Sequence, residues 1–455
     1  WRNLLRHKRL SVVNISGLVI GLASALLLLS YVSFQYGYDS SHIHRKDIYR
    51  VDLSFYENNQ QVFQSAENYP GLAPALKEEI PEVADAARLY NMGYKNNCVF
   101  TYKNQSFREK KFMYADASFL SIFSFPFLKG DVRTALSHPF AAVISESFAK
   151  KVFGKEDPMG KPIKMDDDDR HADLCQVTGV FKDIPQDSHL HFNILISYNT
   201  LDARPNATRF FEESWGRKDF YTYVQLRPGV NPIQVQSRLS GLVDKYRPEE
   251  KTTHTKSIFS LQPLSKIHLT PGFIDEAEPA GNEKAMSFLI IIAFFIMAIA
   301  WVNYVNMTTA GSVNRAKEIG IRKVMGSRKI DLIRQFLIES LTINGISTLA
   351  ALGLIAFLRP AIDGLLGIHF AMTTLFHSPL GWSFAACILL GTLLSGLYPA
   401  FVLSSFTPIA ALKGKIKAHA SGIFLRRAGR TSILIVHFSH HRHGHRISTG
   451  KVYAA

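Results

Sequence analysis

Four long stretches of this 455-residue chain lack charge altogether, and cysteine is scarce throughout. Residues 10–34, 286–309, 340–358 and 364–412 contain no Lys, Arg, Asp or Glu. A helix of about 20 apolar residues crosses the hydrocarbon layer of a bilayer, so each stretch is long enough to be a span. The third is continued at its cytoplasmic end by 332–337, where Arg334 and Gln335 interrupt the apolar residues, and the fourth has its apolar centre at 382–403. The first run is too long for the hydrophobic region of a cleaved signal peptide and is read as an anchor. The three cysteines are Cys98, Cys175 and Cys387. They are too few for a disulfide framework, although a Cys98–Cys175 bridge stays open for an oxidising compartment. No Cys/His spacing in the first 430 residues fits a zinc site.

Catalytic motifs are also missing. The nearest approach to a phosphate-binding loop, 154–162, has one residue too many between Gly154 and Gly160. Pro162 stands where a Ser or Thr would hold magnesium. The chain has no Gly-x-Ser-x-Gly elbow and no His-Glu-x-x-His. Hydrolysis of ATP by the usual loop is therefore excluded, and no membrane-anchored enzyme can be named.

What is present is positive charge, placed unevenly. The formal net charge is +15. Such an excess would suggest nucleic acid in a soluble protein, but these cations cluster beside the apolar runs. Arg2, Arg6, Lys8 and Arg9 precede the first run. Arg315, Lys317, Arg322, Lys323, Arg328 and Lys329 lie between the second and third. Lys413, Lys415, Lys417, Arg426 and Arg427 follow the fourth. If the runs alternate across a membrane, all three clusters fall on one side, which is the positive-inside pattern. We therefore expect an α-helical membrane protein with four transmembrane helices and a large extracytoplasmic α+β domain inserted between helices 1 and 2. Its N-terminus would lie in the cytoplasm of a multi-pass inner-membrane protein. The expected parts are 1–35 (N-terminus and first helix), 36–285 (outer domain), 286–412 (three helices with a cytoplasmic loop at 310–330) and 413–455 (basic tail).

Within the outer block, strand-like patches fall at 48–55, 141–144, 175–181 and 220–226. Helix-like patches alternate with them at 72–79, 145–153 and 232–246. Pro-Gly and Asp-rich punctuation separates them, and the mixture fits an α+β domain in one region or two lobes. Asp166 to Asp169 read as a solvated hairpin tip, because four consecutive acids without glycine do not make a calcium loop. His42 with His44, and His189 with His191, have the spacing of strand neighbours but read as loop or sheet-surface histidines. Asn303, Asn306, Glu339 and Asn344 sit inside or near apolar runs, where polar groups normally face other protein. Hydrogen bonds between helices account for them.

The most informative segment is 314–326, Asn-Arg-Ala-Lys-Glu-Ile-Gly-Ile-Arg-Lys-Val-Met-Gly. Ile319, Ile321 and Val324 interleave with Arg315, Lys317, Arg322 and Lys323. At helical spacing the apolar residues make a partial stripe, the kind of face that docks in a groove on a partner. Gly326 is well placed to end the helix. A basic loop between spans could serve orientation alone, yet that leaves Glu318, Ile319 and Gly320 unexplained.

This segment resembles the cytoplasmic loop of the MacB/FtsX family of ABC-transporter permeases, whose pattern is close to Arg-x-x-Glu-Ile-Gly-Ile-Arg-x-x-x-Gly. Further similarity follows in order at 114–120, 125–131, 142–146, 157–161 and 177–185, then at 396–400 and 408–414. The resemblance implies a permease subunit that couples ATP hydrolysis by a partner ABC ATPase to movement of its outer domain. This chain would bind no cofactor of its own, and ATP with Mg would sit in the partner. It implies contact with the ATPase through Arg315, Lys317, Glu318, Ile319, Gly320, Ile321, Arg322, Lys323 and Gly326. Other implied partners are the lipid bilayer, a second permease half or dimer mate, and a periplasmic adaptor. Substrates in the family are antibiotics, peptides and lipoproteins, and some members only regulate. A membrane receptor with an outer sensing domain is the alternative, but it needs an output domain and none is encoded here. From Ala428 the resemblance stops, and His437, His440, His441, His443 and His445 crowd the tail. That tail is read as a shifted frame hiding a fifth apolar span, with metal binding as the competing reading.

Overall fold

A computed structural model describes residues 8–91, 98–166, 172–204, 214–366, 375–376 and 378–404. Side chains at 8–11, 310–320, 322–323, 366, 399–400 and 402–404 lie outside that description. So do Asp167 to Asp169 and the whole tail from 405, with its histidines.

Helix α1, Lys8–Tyr36, opens the chain. The strands that follow are β1 (Ile48–Glu57), β2 (Gln60–Ser65), β3 (Val83–Tyr90), β4 (Cys98–Tyr102), β5 (Gln105–Glu109) and β6 (Phe112–Ala115). Next come β7 (Phe127–Lys129), β8 (Ala141–Ser145), β9 (Pro162–Asp166), β10 (Ala172–Phe181), β11 (Ile194–Ser197), β12 (Phe220–Leu226) and β13 (Thr255–Pro263). All thirteen join one sheet in the order β13-β1-β12-β3-β6-β11-β8-β10-β9-β4-β5, with β2 beside β1 and β7 beside β10. Most pairs are antiparallel, but β8 with β10 and β6 with β11 run parallel. The strands of the block thus form one mixed sheet.

Short helices cover the sheet: α2 (Leu72–Glu79), α3 (Ala117–Ile122), α4 (Glu146–Phe153), α5 (Asn199–Ala203), α6 (Pro232–Tyr246) and α7 (Leu264–Ile267). Local chemistry sets where they begin. The Ser145 hydroxyl accepts the Phe148 N–H at the start of α4, and the Asn231 side chain accepts the Ile233 N–H at the start of α6. Pro232 occupies the first turn of α6, where no N–H is needed. Leu72, Leu76, Val235, Leu239 and Leu242 are buried in one apolar cluster with Val51 and Leu53 of β1. Cys98 and Cys175 are both buried and form no disulfide, and β9 lies between their strands. The segment resembling a phosphate loop forms the turn between α4 and β9, where Lys161 and Lys103 both pair with Glu156.

Three long helices follow among the described residues: α8 (Glu283–Val324), α9 (Lys329–Leu366) and α10 (Pro379–Ser404). Among the described residues four helical stretches are long and apolar enough to cross a membrane: Val12–Tyr36, Glu283–Thr309, Lys329–Leu365 and Pro379–Tyr398. By contact density the chain divides into two units. Among the described residues, one unit comprises those within 21–297 and 351–387, and the other those within 8–20, 298–350 and 388–404.

In the second unit small residues let helices approach closely. A Cβ on Gly391 would lie 2.2 Å from the Trp301 ring, and one on Gly396 would lie 2.9 Å from Ser340. The Ser340 hydroxyl donates to the Thr392 carbonyl at 3.2 Å, which links α9 to α10. Asn344 is buried as expected for a polar residue in a span, but its amide donates to Ser340 O of its own helix at 3.0 Å. Asn303 and Asn306 are exposed, and Glu339 is half-buried.

Candidate functional site

Two regions bear on function, and each lies at one end of α8. The C-terminal end is the segment 310–324. It was expected as a short separate element between spans. Instead it continues α8 without a break through 42 residues. The helix stops where the sequence suggested, with Gly326 at φ +94°. There the Arg328 N–H donates to the Asp331 carboxylate at 3.2 Å. That bond is half of a capping box for α9.

Arg315, Lys317, Glu318, Ile319, Gly320, Arg322 and Lys323 therefore fall on the last turns of one helix, and their side chains lie outside the description. Ile321 and Val324 are exposed, as is Met325 just beyond the helix. This places three apolar side chains in the open on a basic segment.

The N-terminal end of α8 is anchored by groups the sequence reading missed. Glu283 N–H donates to Leu269 O at 3.1 Å and Gly281 N–H to His268 O at 2.6 Å. The His268 ring stacks on Tyr38 with centroids 3.4 Å apart and bonds to Gln35 at the end of α1. Val32, Leu269 and Met286 share an apolar cluster. The ends of α1 and α8 are thus tied to each other and to the sheet through the same few residues.

Just after α1, Asp39 is buried and accepts the Ser188 hydroxyl at 3.1 Å and the His189 N–H at 3.2 Å, and its other oxygen lies 2.9 Å from His189 Nδ1. His189 Nε2 meets the Tyr223 hydroxyl of β12 at 2.8 Å. Burial alone would raise the Asp39 carboxyl, but the charge and hydrogen bonds of His189 outweigh it and hold it below its ordinary value. His42 is packed edge-on against Phe123 and Phe125, and burial pushes it down to about 4. Burial does the same to His268, and raises Tyr38 to about 12 with help from Asp187 and Asp39. His42 and His189 lie in loops as expected, yet they are core residues rather than surface ones, because Asp39 draws them inward.

One more group joins the sheet to α8. Arg50, the third residue of β1, is fully buried. Its Nε donates to Asp52 at 2.6 Å, and Nη2 donates to Gln262 of β13 at 2.8 Å. Nη1 and Nη2 reach both carboxylate oxygens of Glu276, at 2.5 and 2.7 Å. Glu276 belongs to the connector that runs from α7 to α8. Opposite charges at 50 and 52 share one face of a strand, and that was the available signal. Glu276 is 226 residues away from Arg50 and carried none. Among the described residues no group of three or more His, Cys, Asp or Glu could hold a metal.

The comparisons with known proteins agree with this layout. Residues 11–242 match the MacB-like periplasmic core domain, and 290–409 match the FtsX-like permease C-terminal domain. The chain belongs to the MacB/FtsX-like family of ABC-transporter permeases. A macrolide export ATP-binding/permease protein MacB of Wolinella succinogenes is 22% identical over 423 residues, 90% of this chain and 59% of that protein. The MacB of Haemophilus ducreyi is 29% identical over 213 residues, 46% of this chain and 26% of its own length. The chain thus spans only part of the curated relatives it matches. The crystal structure of the periplasmic region of MacB from Actinobacillus actinomycetemcomitans covers 46% of this chain and 87% of its own, with 14% identity and a TM-score of 0.30.

Proposed function

We propose that this chain is the permease part of a MacB/FtsX-like ABC transporter and works by mechanical transmission across the membrane. The observation that carries the reading is the unbroken course of α8. At about 1.5 Å per residue it is about 63 Å long, against a hydrocarbon layer of about 30 Å. The first charge after Lys284 is Arg315. About 15 Å of basic helix, from Arg315 to Val324, therefore continues beyond the uncharged stretch. The positive clusters orient that projection toward the cytoplasm, which puts 36–285 outside in an inner-membrane protein.

In this reading Arg315, Lys317, Glu318, Ile319, Gly320, Ile321, Arg322, Lys323 and Gly326 meet a partner ABC ATPase, which holds ATP and Mg. Gly320 permits close approach of the backbone, because it has no side chain. When the ATPase closes, α8 carries the displacement to the sheet domain. A second permease half or dimer mate completes the transporter. The relatives' names speak of export of macrolides, and one relative is named for pyoverdine. A substrate of the antibiotic, peptide or lipoprotein class fits that company.

The test is to express the chain with its ABC ATPase and to compare wild type with Gly320→Trp and with the double charge reversal Glu318→Lys/Arg322→Glu. Membrane insertion should be unchanged, while recovery of the complex and ATP turnover fall. Unchanged recovery and turnover in both variants would reduce the segment to an orientation signal.

A further inference from the structure

The connector 270–282 is fastened to the sheet by polar contacts and by Phe273 and Ala277, which pack against the apolar core. Tyr221 donates its hydroxyl to Asp275 O at 2.8 Å, and Ser65 donates to the Asp275 carboxylate at 3.2 Å. The backbone of Ile274 pairs with Gln64 and Ala66, at 2.8 and 3.1 Å. At the centre is the two-pronged bond from Arg50 to Glu276, with the guanidinium also over the Phe273 ring at 5.6 Å.

The two sides of this bond differ. Arg50, Asp52 and Gln262 belong to strands β1 and β13 and are buried. Glu276 sits at the rim, its side chain 13% exposed. A buried arginine stripped of its only counter-ion would be strongly disfavoured. Here a second carboxylate is already in place. Asp52 uses Oδ1 for Arg50 Nε, while its Oδ2 is buried and accepts no hydrogen bond among the described residues. That oxygen is a vacant seat beside the guanidinium. Glu276 can therefore leave for water without stranding the arginine.

We propose that Arg50 and Glu276 form a releasable latch between the sheet domain and α8, with Asp52 as the reserve counter-ion that makes release feasible. The charge balance is consistent with two states. With Glu276 seated, burial pushes Asp52 up to about 7, Glu276 adding to the rise, while Arg50 is held firmly charged. A proton on Asp52 then leaves one carboxylate charge facing one guanidinium. When Glu276 departs, Asp52 gives up the proton and takes over the pairing. The proposal rests on the transmission reading for its role, since an opening connector is how α8 would move against the sheet.

The test is hydrogen–deuterium exchange on the full chain in lipid nanodiscs, comparing Glu276→Gln, Asp52→Asn and the double variant. Glu276→Gln should raise exchange across 270–282 by at least about tenfold and leave β1 and β13 protected. Asp52→Asn should lower exchange in the connector, because Glu276 becomes the sole counter-ion and cannot leave. The double variant should lose protection in β1 and β13 by far more than the two single changes combined. Shifts in the same direction for both single variants, or an additive double variant, would overturn the latch. A second arm joins Ser65→Cys to Asp275→Cys by oxidation in the complex with the ATPase. If the exchange pattern holds but the cross-link leaves ATP turnover untouched, the latch stands and the transmission reading fails.

Discussion

The two ends of α8 are built on opposite principles. At Glu283 the helix is gripped: backbone bonds to Leu269, an apolar cluster at Met286 and the charged grip of Arg50 on Glu276 hold it to a thirteen-stranded sheet. At Val324 it is open: Ile321, Val324 and Met325 are exposed, and the helix simply stops at Gly326. A helix held at one end and presented at the other suits a rod that passes displacement from a partner to a domain. The contrast also says where substitutions should be felt as lost stability and where as lost coupling.

The largest effect on stability is expected at the gripped end. Arg50→Met leaves the buried Asp52 without its cation and unties Glu276 from the sheet, which should cost about 3 kcal/mol. Thermal unfolding of the detergent-solubilised chain measures it. A loss under about 1 kcal/mol would mean that the network adds little to the grip.

Acid should loosen the same end next. His42 lies near 4 in the folded chain and near 6.5 unfolded. The unfolded state therefore binds the extra proton between those values, and the stability due to a neutral His42 is complete above pH 6.5 and lost as pH falls toward 4. The loss is about 3 kcal/mol at most for this group. His268 titrates in the same direction. Replacing His42 by Leu should flatten the decline, which a pH series of denaturation midpoints would reveal. An unaltered slope would remove His42 from the account.

Smaller still is Gly326→Ala at the hinge between α8 and α9. A residue with a Cβ at φ +94° is strained, so a loss of about 1–2 kcal/mol is expected. Smallest is Ile321→Glu at the open end, where stability should stay within about 0.5 kcal/mol while recovery of the partner ATPase drops. A large loss of stability there would show the segment to be packed, and the contrast between the ends would disappear.

Much of this was legible in the sequence, for identifiable reasons. The apolar runs announced the four long helices because a span needs uninterrupted apolar length. Helices α2 and α6 and strand β12 appeared with the boundaries expected, since Pro-Gly punctuation, Asn231 and Pro232 mark them locally. The turn at Gly326 followed from glycine's tolerance of positive φ. What stayed hidden depends on contacts distant in the chain. Nothing near Arg50 points to Glu276 or Gln262, and nothing near Asp39 points to Ser188 and His189. The continuity of α8 was obscured by the change from uncharged to basic residues at Arg315, which reads as an end of structure but is only an end of the uncharged run. That the strands of the outer block form a single sheet was hidden because β6, β11 and β8 pair although they lie far apart in sequence.

The most direct measurement is hydrogen exchange of the connector 270–282 in the assembled complex, with and without ATP, in wild type and in Gly320→Trp. The account predicts that ATP alters exchange in wild type and that the distant substitution abolishes the response although the chain is still inserted and folded. A response of equal size in both proteins, or none in wild type while the ATPase turns over, would contradict transmission along α8.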